Sequence, residues 1–324
     1  MATSPAQRRV GASGLLVSAA GLGCNNFGRA GSRTESIEGT RAVIDAAIDA
    51  GVTLFDTADV YGREFGLSET LMGEALDGRR DEVLLATKFG HAALAPAHLG
   101  ASKGSRSYIR WAVEGSLRRL RTDHIDLYQL HTPDPDTPIE ETLDALRDLV
   151  REGKVRYLGH SNFAGWQMVA ADAAASDVPF ISAQNHYSLL ARGSEREALP
   201  AVEHLGLGFF PFFPLYNGLL TGKFTRAGGP ADSRIMNVRP HLWRDAPWDA
   251  LEGYQRFCDA RGITMLEATF GWLLARPATS SVIAGATSAE QIAQNAAAST
   301  AWHPTAADLA EIDALIPLPA DPAA

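Results

Sequence analysis

Asp56 and Tyr61 share the stretch Leu54-Phe55-Asp56-Thr57-Ala58-Asp59-Val60-Tyr61-Gly62, a carboxylate and a phenol in a glycine-bounded loop behind a short apolar strand. Further along, other predicted strands end in groups that belong to the same kind of chemistry. Lys88 follows Thr87, His131 closes the run Asp126-Leu127-Tyr128-Gln129-Leu130-His131, and Ser161-Asn162 and Gln184-Asn185 end two later strands. Each has an ordinary structural use when taken alone: a solvated loop lysine, a hydrogen-bonded loop histidine, a helix N-cap, a satisfied buried amide. Gathered on one rim they suit proton donation by a phenol. A free tyrosine with a pKa of ~10 is a poor acid at neutral pH. A buried lysine cation favours the phenolate and lowers that value, and a carboxylate keeps the lysine charged. His131 would polarise and orient a carbonyl oxygen. The hydride must come from elsewhere. The sequence holds no His-Glu-x-x-His, and its two cysteines do not suit a zinc site. A nicotinamide cofactor is therefore implied, with Ser161, Asn162 and Gln184 placed for its carboxamide.

These residues need strands that all end on one side. The chain opens with a predicted hairpin over Val10 to Leu22, turning at Ser13-Gly14 and leading into a first strand, Ala19 to Leu22. Helix and strand then alternate. Helices are predicted at Ile37 to Ala50, Ser68 to Leu76, Ser107 to Leu120, Trp166 to Ala175, Glu195 to Leu205, Ala289 to Ala298 and Ala306 to Ile316. Strands two to eight fall at Leu54-Phe55, Val83 to Thr87, Ile125 to Leu130, Val155 to Gly159, Phe180 to Gln184, Leu207 to Phe212 and Ser281 to Ala284. One helix has an apolar stripe of Leu143, Leu146, Leu149 and Val150, with Gly153 ending it. Its start reads as a capping box, Thr137 at the N-cap, Pro138 at N1 and Glu140 at N3. A long loop from Phe224 to Trp248 precedes helices at Leu251 to Ala260 and Met265 to Leu274.

Short, wholly apolar strands alternating with helices call for a parallel sheet buried on both faces. No strand reads as an edge, so the expected fold class is α/β, a (β/α)8 TIM barrel with an N-terminal β-hairpin. It is read as one domain over residues 1–324, with a flexible tail at 317–324. The working face of such a barrel is the C-terminal end of its strands.

Composition narrows the class. A net charge of −9, with acids and bases interleaved, argues against nucleic acid or an anionic membrane as partner. Cys24 and Cys258 lie far apart, which suits a reducing compartment, and neither a secretory signal nor a membrane span is visible. A cytoplasmic protein acting on a small molecule is expected; the oligomeric state is not readable.

The motifs already quoted, together with Gly159-His160-Ser161-Asn162-Phe163, Pro214-Leu215, Gly218-Leu219-Leu220-Thr221-Gly222-Lys223 and Ile283-Ala284-Gly285-Ala286-Thr287 followed by Glu290-Gln291-Ile292 and Asn295, resemble the aldo-keto reductase superfamily. The resemblance runs from about Arg9 to Leu315. It implies an NADPH-dependent oxidoreductase acting on CH–OH/C=O groups, with NADH the alternative cofactor. It implies Tyr61 as proton donor, Asp56 and Lys88 as its tuning pair, and His131 orienting an aldehyde or ketone carbonyl. Ser161, Asn162 and Gln184 would hold the carboxamide, and Phe212 would stack on the nicotinamide. Leu215, Gly218 and Lys223 would follow the pyrophosphate, while Gly285, Thr287, Gln291 and Asn295 would wrap the adenosine end. Phe213 replaces a small serine, and Gly285, Ala286 and Gln291 replace the lysine, serine and arginine that some members use on the 2′-phosphate. The loops at Cys24 to Arg33, Phe89 to Arg106 and Phe224 to Trp248 would form the substrate pocket, with Asn25, Phe27, Phe89 and His91 lining it. The Trp243 and Trp248 pair reads equally as a cover for the substrate or as packing of the long loop. Two other readings stay open: an NAD(P)+-dependent sugar or alcohol dehydrogenase, and a cofactor-sensing regulatory subunit like the potassium-channel β subunits.

Overall fold

Along each barrel strand, alternate residues point inward and outward, and this sorts the apolar side chains into two separate cores. The computed structural model of the chain describes residues 6–91 and 102–320. Eight parallel strands close on one another in chain order: β3 (Ala20–Gly23), β4 (Leu54–Asp56), β5 (Leu84–Phe89), β6 (Ile125–Leu130), β7 (Val155–Ser161), β8 (Phe180–His186), β9 (Gly208–Phe212) and β10 (Val282–Gly285), with β10 back beside β3. This is the (β/α)8 barrel. Ahead of it, β1 (Gln7–Arg9) and β2 (Leu16–Ser18) form an antiparallel hairpin.

Inside the barrel, Leu54, Ala86, Leu127, Phe210 and Ile283 make one apolar layer, and Val10, Leu15 and Val17 of the hairpin pack on it. The hairpin thereby closes the N-terminal end of the barrel. Outward residues such as Phe55, Leu85, Tyr128, Leu158, Ala183 and Phe209 form the larger core against the helices. Two residues beyond the apolar layer, the inward positions become Asp56, Lys88, Gln129 and Phe212. Strand pairing sets Lys88 beside Gln129, Gln129 beside Gly159, and Ser161 beside Gln184. The same period that fills the barrel floor thus delivers a polar layer at its C-terminal mouth. Gly159 gives this layer room: a Cβ there would lie 2.4 Å from Ser182 Oγ and 3.2 Å from Gln129 Cγ.

Several expectations are corrected. The hairpin begins upstream of Val10, because Val10 and Leu15 close its turn, with Val10 N donating to Leu15 O at 2.9 Å. The expected capping box does not form: α4 (Ile139–Arg151) has Pro138 at its N-cap. Thr137 instead donates to Asp134 Oδ2 at 2.7 Å, a carboxylate that also takes Gly104 N at 2.7 Å. The long loop after β9 contains two short helices, α7 (Arg234–Val238), capped by Ser233, and α8 (Pro240–Arg244), which has its proline in the first turn. The next helix starts early, at Trp248 rather than Leu251. Trp243 Nε1 donates to Thr225 O at 2.9 Å and Trp248 Nε1 to Trp243 O at 3.1 Å, so the indoles fasten this segment to itself. The tail is held as far as Pro319, with Arg192 donating to Ile316 O at 2.9 Å and Arg196 to Pro319 O. Residues 321–324 lie outside the described residues, as do 1–5 and 92–101, the last within the predicted pocket loop after β5. No helix of the described residues is long and apolar enough to cross a membrane.

Candidate functional site

Asp56 ends β4 and Lys88 lies near the end of β5, both buried, with Lys88 Nζ donating to Asp56 Oδ2 at 2.5 Å and to Thr57 O at 2.9 Å. The other carboxylate oxygen, Oδ1, accepts from Gln129 Nε2 and Gln184 Nε2, each at 3.0 Å. A buried charge needs such a full set of partners. Gln129 has no role in the sequence reading, where it was one residue of a strand; its signal was its position two residues before His131. The loop after β4 is tied across the barrel top. Thr57 N donates to Ala86 O at 2.8 Å, Asp59 N to Lys88 O at 3.0 Å, and Ser68 N to Tyr61 O at 3.0 Å from the start of α2 (Leu67–Ala75). These bonds hold the Tyr61 ring with its centroid 5.3 Å from Lys88 Nζ and 5.8 Å from the His131 ring, edge to face. Asp56, Tyr61, Lys88 and His131 therefore come together at one spot.

Their electrostatics differ in one respect from the expectation. Burial pushes the Tyr61 phenol above its ordinary value, and Asp56 adds to this; the Lys88 cation pulls it down without winning. Tyr61 is thus a protonated phenol at neutral pH, able to donate. Burial alone would depress Lys88, yet Asp56 and Tyr61 outweigh it and leave the ammonium above its usual range. His131 falls well below its ordinary value, first through burial and then through the cations Lys88 and Lys103 and the neighbouring His91. It is a neutral imidazole, whose Nδ1 has no hydrogen-bond partner among the described residues.

Around this spot the remaining predicted residues divide. Ser161 is buried at the end of β7, and Asn162 takes a left-handed conformation, φ 62°, with Nδ2 donating to His131 O and to Ser161 Oγ at 3.0 Å each. That arrangement leaves the Asn162 carbonyl oxygen as an acceptor, and Gln184 likewise spends its amide N–H on Asp56. Phe212 is half-buried and stacks on His186 at 5.4 Å. Behind it, Phe213, Tyr216 and Asn217 all have positive φ, at 50°, 45° and 58°, and Gly218 follows at 105°. Left-handed residues concentrated in one turn are a mark of functional loops. Leu215 starts this turn, and a Cβ on Gly218 would meet Lys223 Cε at 2.7 Å, so backbone and lysine form a narrow cradle. Thr287 donates through N and Oγ1 to Gln291 Oε1, at 2.8 and 3.1 Å, and Asn295 is buried on the same helix, α11 (Ala289–Ala301). Gly285 is exposed. The amide oxygens of Asn162 and Gln184, free among the described residues, and the Gly218–Lys223 cradle suit a nicotinamide dinucleotide, which would add donors to the first and phosphates to the second.

Of the predicted pocket residues, His91 stands 5.1 Å from the His131 ring, and Asn25 is half-buried beside Gly285. Phe27 and Phe89 are corrected: both are fully buried in the outer core, Phe89 stacked on Tyr128 at 4.7 Å, because as alternate residues along β5 Lys88 and Phe89 must face opposite ways.

Asp59 is the buried acid that sequence reasoning passed over. Neither of its carboxylate oxygens has a partner among the described residues, and burial, with the Glu69 charge second, pushes it up to about 8. Between its ordinary value and about 8 the folded chain holds a proton that the unfolded chain has lost. Stability therefore falls as pH rises through that window, by at most about 1.4 kcal/mol per pH unit from this group. Asp59→Asn is expected to exceed the parent already at pH ~5, and by a margin that widens towards pH ~8 by up to about 1.4 kcal/mol per pH unit. Urea denaturation of both chains at the two pH values checks this; parallel pH profiles would refute it.

The aldo/keto reductase family model matches residues 20–317. Among curated relatives, a Bacillus subtilis oxidoreductase, YrpG, is 39% identical over 297 residues, 87% of each chain. The L-glyceraldehyde 3-phosphate reductase of Escherichia coli K12 is 33% identical over 321 residues, 94% of this chain and 91% of the relative. A probable voltage-gated potassium channel subunit beta from rice is 33% identical over 301 residues, 89% of each.

Proposed function

We propose, from the premise that this chain belongs to the aldo/keto reductase family, that it reduces an aldehyde or ketone to the alcohol with NADPH. The observation that carries the reading is the meeting of Asp56, Tyr61, Lys88 and His131 at the open end of the barrel. A nicotinamide cofactor, when bound, would supply the hydride that the carbonyl carbon needs. Tyr61 gives its phenolic proton to the carbonyl oxygen as charge develops there, so both hydrogens of the new CH–OH are accounted for. Lys88, held charged by Asp56, stabilises the phenolate left behind. Neutral His131 donates a hydrogen bond to the carbonyl oxygen without competing as an acid.

Ser161, Asn162 and Gln184 would hold the carboxamide, Phe212 the nicotinamide face, Leu215, Gly218 and Lys223 the pyrophosphate, and Gly285, Thr287, Gln291 and Asn295 the adenosine end. The cytoplasm is the proposed location. A panel of aldehydes and ketones, followed by loss of NADPH absorbance and repeated with NADH, tests the reading. Carbonyl-dependent consumption with a higher kcat/KM for NADPH is expected. The likeness to a channel subunit beta supplies the second reading, a cofactor-binding regulatory subunit. Tight NADPH binding with no carbonyl-dependent turnover would favour it.

A further inference from the structure

β8 and β9 reach the barrel mouth side by side, and their last residues are partners in the register, His186 beside Phe212. Two residues earlier on β8 is Gln184, which reaches Asp56 inside the barrel, and two residues earlier on β9 is Phe210 of the inner apolar layer. Alternation therefore turns His186 and Phe212 to the same inward side, at the level where the barrel opens. Their rings lie 9° from parallel, with centroids 5.4 Å apart. The imidazole meets two more rings: Tyr216, 15° from parallel at 6.1 Å, and Phe213, edge to face at 5.8 Å. Phe213 also stands edge to face against Phe212, at 5.4 Å. Ser194 Oγ ties down the backbone here by donating to His186 O at 3.0 Å.

The contact matters because of what Phe212 lacks. A phenyl ring has no polar atom through which a hydrogen bond could fix its tilt, so its orientation is set by what packs on it. Phe212 is half-buried and His186 is exposed at the mouth, so the core does not lock either ring. Offset-parallel and edge-on pairs at these separations are the arrangements that aromatic rings favour. The two rings that brace the imidazole come from the left-handed turn, Phe213 at φ 50° and Tyr216 at φ 45°, which runs on into the Gly218–Lys223 cradle. The strained backbone there is put to use, since it brings both rings back to the end of β8. A flat ligand ring arriving on Phe212 would find its support already oriented, and ordering a free side chain is one of the costs that weaken binding.

We propose that His186 is a positioning residue for the cofactor: by lying parallel to Phe212 it fixes the ring on which the nicotinamide would rest. The inference rests on the dinucleotide reading above, and the test keeps the two apart. Dissociation constants of the full chain are measured by calorimetry for NADPH and for adenosine 2′,5′-bisphosphate, which lacks the nicotinamide. His186→Leu keeps the bulk and removes the flat ring. It raises the NADPH constant by about three- to tenfold and leaves that of the bisphosphate unchanged. His186→Phe restores a ring and brings the NADPH constant back to within a factor of about two of the parent. In a Phe212→Leu background the support is gone, and adding His186→Leu has no further effect, as a residue that acts through another requires. The proposal is overturned if His186→Leu leaves NADPH binding within a factor of about two, or weakens both compounds equally. It is also overturned if phenylalanine serves no better than leucine, or if the two losses add in the double variant. A parent chain that binds neither compound ends the dinucleotide reading, and the proposal with it.

Discussion

Tyr61→Phe is expected to lower kcat for carbonyl reduction by about 10²- to 10⁴-fold while dinucleotide affinity stays within a factor of about two. The substitution removes one oxygen and keeps the ring, so the edge contact with His131 and the position over Lys88 survive. What disappears is the one group at this spot, among the described residues, that is both protonated at neutral pH and next to a cation able to stabilise its conjugate base. His131, pushed well below its ordinary value, is a hydrogen-bond donor but does not carry the extra proton that would let it take over. Lys88 is spoken for by Asp56 and Thr57. Single-turnover kinetics with premixed NADPH, alongside fluorescence titration of the cofactor, separates the chemical step from binding. Turnover within a factor of about three of the parent would remove the phenol from the proton-donating role.

The barrel and most of this spot were legible because the same alternation governs both. A strand such as Leu84 to Phe89 shows an apolar body and a charged residue at its tip, and only one geometry puts such a residue to use. Asp56, Lys88, Ser161 and Gln184 are proposed as site residues on that signal. Gln129 was missed because an amide inside an apolar strand carries no local mark; its role appears only when β4 and β6 present Asp56 and Gln129 to the same interior. Phe27 and Phe89 were misplaced by the opposite error, since nearness in sequence to a loop says nothing about which face a side chain takes. Thr137 shows the limit of capping rules: the helix starts at Ile139 with Pro138 at its N-cap, and the Thr137 hydroxyl, one residue too early to cap, donates to Asp134.

Lys88→Met should cost both activity and the fold. The lysine is fully buried, and its ammonium is the one cation bonded to Asp56 among the described residues. With methionine in its place the carboxylate keeps, among the described residues, the amide donors of Gln129 and Gln184, each 3.0 Å away, at a buried position. Breaking a buried pair in this one-sided way destabilises by about 3–5 kcal/mol, because the surviving charge is uncompensated. Since the folded chain holds Lys88 above its usual range, the pair's contribution is fully present across neutral pH in the parent and is lost only as pH rises through that raised value. The comparison that isolates the cause is Lys88→Met with Asp56→Asn, which removes charge and partner together. Denaturant midpoints should place this double variant above Lys88→Met alone, with neither restoring turnover. If the double variant is instead the less stable by the sum of the two single losses, Asp56 and Lys88 do not act as a pair, and the account of how Tyr61 is tuned fails with them.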